Sequence, residues 1–184
     1  MILLNEALKE NTELKARLAK LDERIEELDA MPAAAVTAIR PRILPSLPLS
    51  ENVNHSVRLE IINRGPQIAR NSRFVAVVQL MRSPVSKAEE ETFLEEWAQL
   101  AESRIEERPV VDLGPNDNSS WHTVHLPITR EAIDGLAHDR QRLYVYMRFE
   151  WEDRGVSHTG EYCVYLNKPT DDVWRYCGTR NTIR

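Results

Sequence analysis

The sequence is short of glycine, with six in 184 residues, and has only two cysteines. It also lacks any apolar run of the roughly 18 residues that a membrane helix needs. Each shortage excludes something. Without GxGxxG or GxxxxGK[ST], there is no loop to cradle a phosphate in backbone N–H groups. Two cysteines outside any CxxC are too few for a structural zinc site unless histidine joins them. GxSxG and HExxH are missing too, so no familiar nucleophile or zinc-protease arrangement is present. No cofactor is expected. What remains is a chain that is 42% hydrophobic and 29% charged, with ten prolines. That length and composition suit one domain, or one domain with an appendage.

The net charge of −5 disfavours wholesale nucleic-acid binding, and it is unevenly spread. Residues 1–31 carry eight acidic and five basic side chains, and residues 81–108 eight and four. Between them, residues 32–80 carry Arg40, Arg42, Arg58, Arg64, Arg70 and Arg73 against only Glu51 and Glu60. A basic stretch of this kind suits an anionic membrane surface or nucleic acid; the favoured reading is the plainer one, a sheet surface that carries arginine while the helices carry glutamate.

The first 31 residues read as a coiled coil. With Leu4, Asn11, Leu18 and Ile25 at heptad position a, position d falls on Ala7, Leu14, Leu21 and Leu28. Seven of these eight seam positions are apolar, which is the pattern that makes helices supercoil. In a parallel pair, each g residue meets an e residue of the partner. Glu10 then meets Lys15, Arg17 meets Asp22, and Arg24 meets Asp29, all of opposite sign. A single Asn at a, with Leu at d, favours two strands in register. The other reading is one amphipathic helix lying on its own domain. Pro32 ends the helix.

Beyond Pro32 the apolar period changes to two. Residues 32–52 read as a proline-rich linker and edge segment, since prolines 41, 45 and 48 forbid a central strand. Over residues 53–184, apolar and polar residues alternate at Val57–Ile61 and Leu143–Trp151, and the mostly apolar run Phe74–Leu80 looks like a central strand. Shorter strands fall at Val110–Leu113 and Trp121–Leu126, and further strands at Val156–Leu166 and Asp172–Cys177. Short strands separated by turn residues suggest a mainly β, immunoglobulin-like sandwich. A helical insertion is expected over 86–107. Ser86 and Glu89 form a capping box there, and Phe93, Leu94, Trp97, Leu100, Ala101 and Ile105 make an apolar stripe. That stripe either seals the open end of the sandwich or binds a partner through Phe93 and Trp97. Thr129–His138 is a second, shorter helix.

Cys163 and Cys177 fall on neighbouring strands around the turn at Asn167–Asp172, within disulfide reach. An oxidising compartment would join them, and a cytosolic chain would keep two thiols. The catalytic search is bare. His122 and His125 point to opposite faces of a strand and cannot grip one metal. Glu152, Asp153 and His158 read as a solvated hairpin before they read as an acid/base pair.

Asn63-Arg64-Gly65, Ala69 and Asn71 resemble the N-x-G-x-x-x-A-x-N turn of bacterial immunoglobulin-like modules, CARDB-type adhesion domains among them. The tail is more similar to a broad group of uncharacterised bacterial proteins, often anchored by N-terminal membrane helices. The matching residues are Trp151-Glu152-Asp153-Arg154-Gly155, Tyr162-Cys163, Cys177-Gly178 and Asn181, with Trp151 where the group usually has Tyr. The resemblance implies the fold and a membrane-associated or envelope accessory role, and carries over no catalytic residue. The expected function is a non-enzymatic protein-interaction module, a parallel homodimer that binds another protein through sandwich loops or the 86–107 helix. Arg64 and Arg70 join Phe93 and Trp97 as candidate contacts. The location is cytoplasmic if Met1 is the native start, and membrane-associated if the sequence is part of a longer chain.

Overall fold

Apolar side chains at every second position from Leu143 to Trp151 bury one face of a strand, and Tyr144 and Tyr146 bury the other. In the computed structural model, which describes residues 11, 13–22, 34–44, 55–126, 129–168 and 171–183, that strand is central to the larger of two sheets. The chain divides into one unit over Met1–Ala33 and another over Ala34–Arg184. The first contains a helix, α1, described over residues 13–22. The second runs β1 (Val36–Leu44), β2 (His55–Asn63), β3 (Ala69–Arg82), α2 (Lys87–Ile105), β4 (Val111–Leu113), β5 (Asn118–Leu126), α3 (Arg130–Ala137), β6 (Gln141–Asp153), β7 (Val156–Lys168), β8 (Asp171–Tyr176) and β9 (Thr182–Ile183).

The small sheet has the order β1-β2-β5. The large one has the order β4-β3-β6-β7-β8, with β9 on β7. All the pairings are antiparallel. Val36, Ile43, Val57, Leu59 and Ile61 of the small sheet share one core with Leu143, Val145, Met147, Phe149 and Trp151 of β6. The chain is therefore mainly β, with two sheets enclosing a core. The segment expected to be linker and edge contains the edge strand of the small sheet: β1 begins at Val36 and buries both Val36 and Ile43 in the core.

Two local devices set the register. Arg154 and Gly155 both have positive φ, at 52° and 79°, which makes the tight two-residue turn that joins β6 to β7. At Asn71, φ of 52° interrupts β3, and the register shifts there against both β4 and β6.

The expectation that the 86–107 helix seals the end of the sandwich, or displays Phe93 and Trp97, is corrected. Ser86 caps it as expected, accepting from the Glu89 backbone N–H while the Glu89 carboxylate accepts from Ser86 N–H at 2.9 Å. That hydrogen bonding from Ser86 also lowers the pKa of Glu89. The helix lies flat on the second face of the large sheet. Phe93, Leu94, Trp97, Ala98, Ala101 and Ile105 cover Val75, Tyr144 and Tyr146 there. Phe93 meets Tyr144 edge-on at 5.1 Å, and Trp97 lies 6.1 Å from the same ring. Burying each large apolar side chain contributes about 1.5–3 kcal/mol, so the sheet holds this stripe and a partner does not find it.

Gly160 sits opposite Phe149 on β7, and a Cβ there would run into the Phe149 ring. Gly160→Ala should therefore destabilise by about 1–3 kcal/mol, the usual cost of overpacking. Chemical denaturation checks this, with Gly155→Ala, which has open space around it, as the comparison for backbone strain alone.

Candidate functional site

The candidate contact residues do not converge on one place. Arg64 is exposed in the turn after β2, and Arg70 is exposed on β3 opposite Glu152. Phe93 and Trp97 are buried under α2, at 7% and 5% exposure. Of the dimer seam, Leu4, Ile25 and Leu28 lie outside the described residues. Asn11 is exposed, and Leu14, Leu18 and Leu21 stand out from α1 at 59%, 58% and 59% exposure.

The two motifs behind the family resemblance turn out to be structural joints. Asn63 is fully buried, and its amide makes four hydrogen bonds. Its Oδ1 accepts from Ala35 N–H at 3.0 Å and from Gly65 N–H at 2.9 Å; its Nδ2 donates to the carbonyls of Gln67 and of Leu113. Next to it, Ala34 is held twice. Trp151 Nε1 donates to its carbonyl, and its N–H donates to Asp153 Oδ2, both at 3.2 Å.

Cys163 and Cys177 are joined by a disulfide, with Cα atoms 5.4 Å apart. The Cys177 N–H donates to the Cys163 carbonyl at 3.1 Å, one step beyond the end of β8. Asn181 Oδ1 then accepts from Cys163 N–H at 3.0 Å, so a side chain takes a position that a strand would otherwise fill. Gly178 N–H donates to Glu90 at 3.2 Å, and Arg180 pairs with Glu161 and Glu95. The Cys–Gly–Asn tail thus ties β7 to α2.

The helix-facing side of the large sheet holds polar groups that alternation alone labels solvent-exposed. Tyr146 donates to Glu161 at 3.1 Å, and Arg148 reaches Glu150, Glu102 and Glu161. Burial, reinforced by Glu90, pushes the Tyr144 hydroxyl up to about 12. Burial with the Glu161 charge raises Tyr146 further. Tyr162, buried beside Tyr176, rises to about 12 as well.

A polar cleft of about 550 Å³ lies over Asn71, Arg73, Glu106, Glu150, Glu152 and His158. Its carboxylates are occupied: Glu106 by Arg73, Glu150 by Arg148, and Glu152 by Asn71. His158 stacks on Trp151 at 5.2 Å. Among the described residues, no cluster of three His, Cys, Asp or Glu side chains is placed to hold a metal ion. No described helix is long and apolar enough to cross a membrane.

A second cavity, of about 380 Å³, opens between β1 and β9, with Thr37, Ala38, Phe149, Tyr162, Tyr176 and Ile183 around it. Sequence reading missed it. The exposed Tyr176 beside a closing strand is the one signal, and the cavity itself depends on how many strands each sheet recruits. Comparison with known proteins adds no further guide, since no family model, curated protein or solved structure matches the chain.

Asn63→Ala should cost at least about 3 kcal/mol, because it orphans two N–H groups and two carbonyls at about 1–3 kcal/mol for each buried one. Asn63→Asp, which keeps the acceptor and loses the donor, should also destabilise, as denaturant titration will show. The tyrosines give a pH test. Their unfolded pKa is about 10, so their contribution is intact below that value. It is lost as pH rises through about 12, because the unfolded chain sheds its phenol protons first. Tyrosinate absorbance followed against pH should show Tyr144, Tyr146 and Tyr162 ionising late, together with unfolding.

Proposed function

We propose that this chain is a non-enzymatic protein-interaction module: an immunoglobulin-like β-sandwich held as a parallel homodimer by its N-terminal coiled coil. The observation that carries this reading is the stripe of Leu14, Leu18 and Leu21, each more than half exposed on a helix that belongs to its own compact unit. Leucine side chains at seam spacing are stabilised by about 1.5–3 kcal/mol each when buried, and a second copy supplies the complementary surface. The opposite-sign pairs Glu10 with Lys15, Arg17 with Asp22 and Arg24 with Asp29 favour parallel alignment. Asn11, satisfied only by its twin in an apolar seam, favours two strands in register.

The strand order supports the immunoglobulin-like part. With β1, β2 and β5 as the first sheet and β4, β3, β6 and β7 as the second, chain order and sheet order match a Greek-key sandwich, with α2 and α3 inserted in its connections. The Cys163–Cys177 disulfide supports an oxidising surrounding, in keeping with an envelope or membrane-associated assembly. The rival reading, an anionic-surface binder using Arg40–Arg73, has less behind it. Arg58 is already paired with Glu60 at 2.8 Å, and Arg73 with Glu106.

Sedimentation of the full chain should give a dimer, and the double variant Leu14→Lys, Leu18→Lys should give a monomer with an unchanged thermal transition for the sandwich. Asn11→Leu should keep the chain associated while admitting states larger than two. A wild-type chain that sediments as a monomer at concentrations well above a typical coiled-coil dissociation constant would sink the dimer.

A further inference from the structure

We propose that the open seam between β1 and β9 receives an extended peptide strand from a protein partner, with small apolar residues alternating along it and carboxylates at one end. This rests on reading the sandwich as an interaction module, though not on its being a dimer. Three observations lead to it.

The first is a mismatch of widths. The large sheet runs five strands across and the small sheet three. Across the core β1 meets β6 and β7, so β8 extends past its edge. At that end the core-facing Tyr162 is only partly buried against the core, and Tyr176 beside it is 68% exposed. Its ring stands edge-on to Tyr162 at 5.9 Å, making an aromatic corner beside the 380 Å³ cavity.

The second is the edge of β1. Folded proteins blunt exposed strand edges with charge, proline or a bulge, because a bare edge recruits another strand. β1 does this over only half its length. Arg40, Pro41 and Arg42 come with a bulge between Ile39 and Arg42. Val36-Thr37-Ala38-Ile39 carries none of these devices. It pairs with Asn63, Ile62, Ile61 and Glu60 on its inner side, and no described strand pairs with its outer side. The unblunted half is the half that borders the cavity.

The third is charge. Glu161, the one carboxylate at the cavity among the described residues, is engaged by Tyr146, Arg148 and Arg180, so it repels little. Arg42 is exposed on β1, beyond the bulge. A peptide laid along Val36–Ile39 would continue past the seam beside this guanidinium group. Carboxylates there match it. Backbone pairing would supply the affinity, and the aromatic corner would select small apolar side chains at alternate positions.

The test uses the full-length, isotope-labelled protein and two capped heptapeptides of alternating valine and threonine, one ending in two glutamates and the other in two lysines. The glutamate peptide should bind about tenfold tighter than the lysine peptide and slow amide exchange at Val36–Ile39. Thr37→Lys, which places a charge on the bare edge, and Tyr176→Ala, which removes an exposed wall, should each weaken binding about tenfold with the melting temperature unchanged. Equal affinity for the two peptides, protection elsewhere on the surface, or no binding would overturn the proposal. So would binding of an N-acetylglucosamine trimer at the aromatic corner in preference to either peptide. A monomer that binds the glutamate peptide would overturn the dimer alone, and a dimer that ignores it would overturn the seam alone.

Discussion

The buried amide of Asn63 is the constraint on which the two-sheet unit depends. A primary amide has two donors and an oxygen with two lone pairs, and burying it unsatisfied is costly. Here all four are used, on three separate stretches of chain: Ala35 ahead of β1, Gly65 and Gln67 in the turn after β2, and Leu113 at the end of β4. Leu113 belongs to the large sheet and Ala35 leads into the small one, so a single side chain ties the two sheets at one end. The backbone of Asn63 adds to this, donating to Asp117 and accepting from Asn116. No other residue type fits these requirements. Aspartate cannot donate, and glutamine is one methylene too long for the same backbone.

This explains why the Asn63–Asn71 motif could be found in the sequence and why it speaks of architecture before activity. Gly65 places its N–H on the amide, Ala69 is small enough to be fully buried, and Asn71 takes the left-handed conformation that interrupts β3. The tail motif behaves similarly, since Cys177, Gly178 and Asn181 each make a contact that ties β7 to its surroundings. Residue types chosen for special backbone or hydrogen-bond needs are legible because few substitutes meet those needs. β6 and β7 were legible for a different reason: their alternation is long, and a two-residue turn joins them.

What could not be read was the destination of an amphipathic surface. The capping box and the apolar stripe of α2 are local, and both are visible in the sequence. The surface that the stripe covers is assembled from Val75 on β3, Tyr144 and Tyr146 on β6, and Cys163 on β7. Tyr144, Tyr146 and Arg148 read as the wet face of β6 because tyrosine has a polar tip. Their rings are buried, and their polar ends reach carboxylates at the margin: Glu90 from α2 and Glu161 from β7. The polar tips thus hide the second apolar face of β6 from the alternation pattern, and with it the surface that α2 covers.

The same limit applies to the seam beside β1. Its aromatic corner exists because the two sheets recruit different numbers of strands, which no local window of sequence records. A sandwich with equal sheets would hide Tyr162 and Tyr176 in its core, and natural selection of a polar residue at position 176 would be the simpler remedy for an accidental overhang. Exposed tyrosine instead adjoins the stretch of β1 that lacks charge, proline and bulge. Either feature alone is ordinary on a protein surface. Together they combine a bare backbone edge with an amphipathic wall, and those are the two surfaces that an added strand requires, one for its backbone and one for its alternate side chains. The charge, proline and bulge of β1 all lie beyond Ile39, while Thr37 and Ala38 border the cavity, and this coincidence is what a merely unfinished edge does not explain.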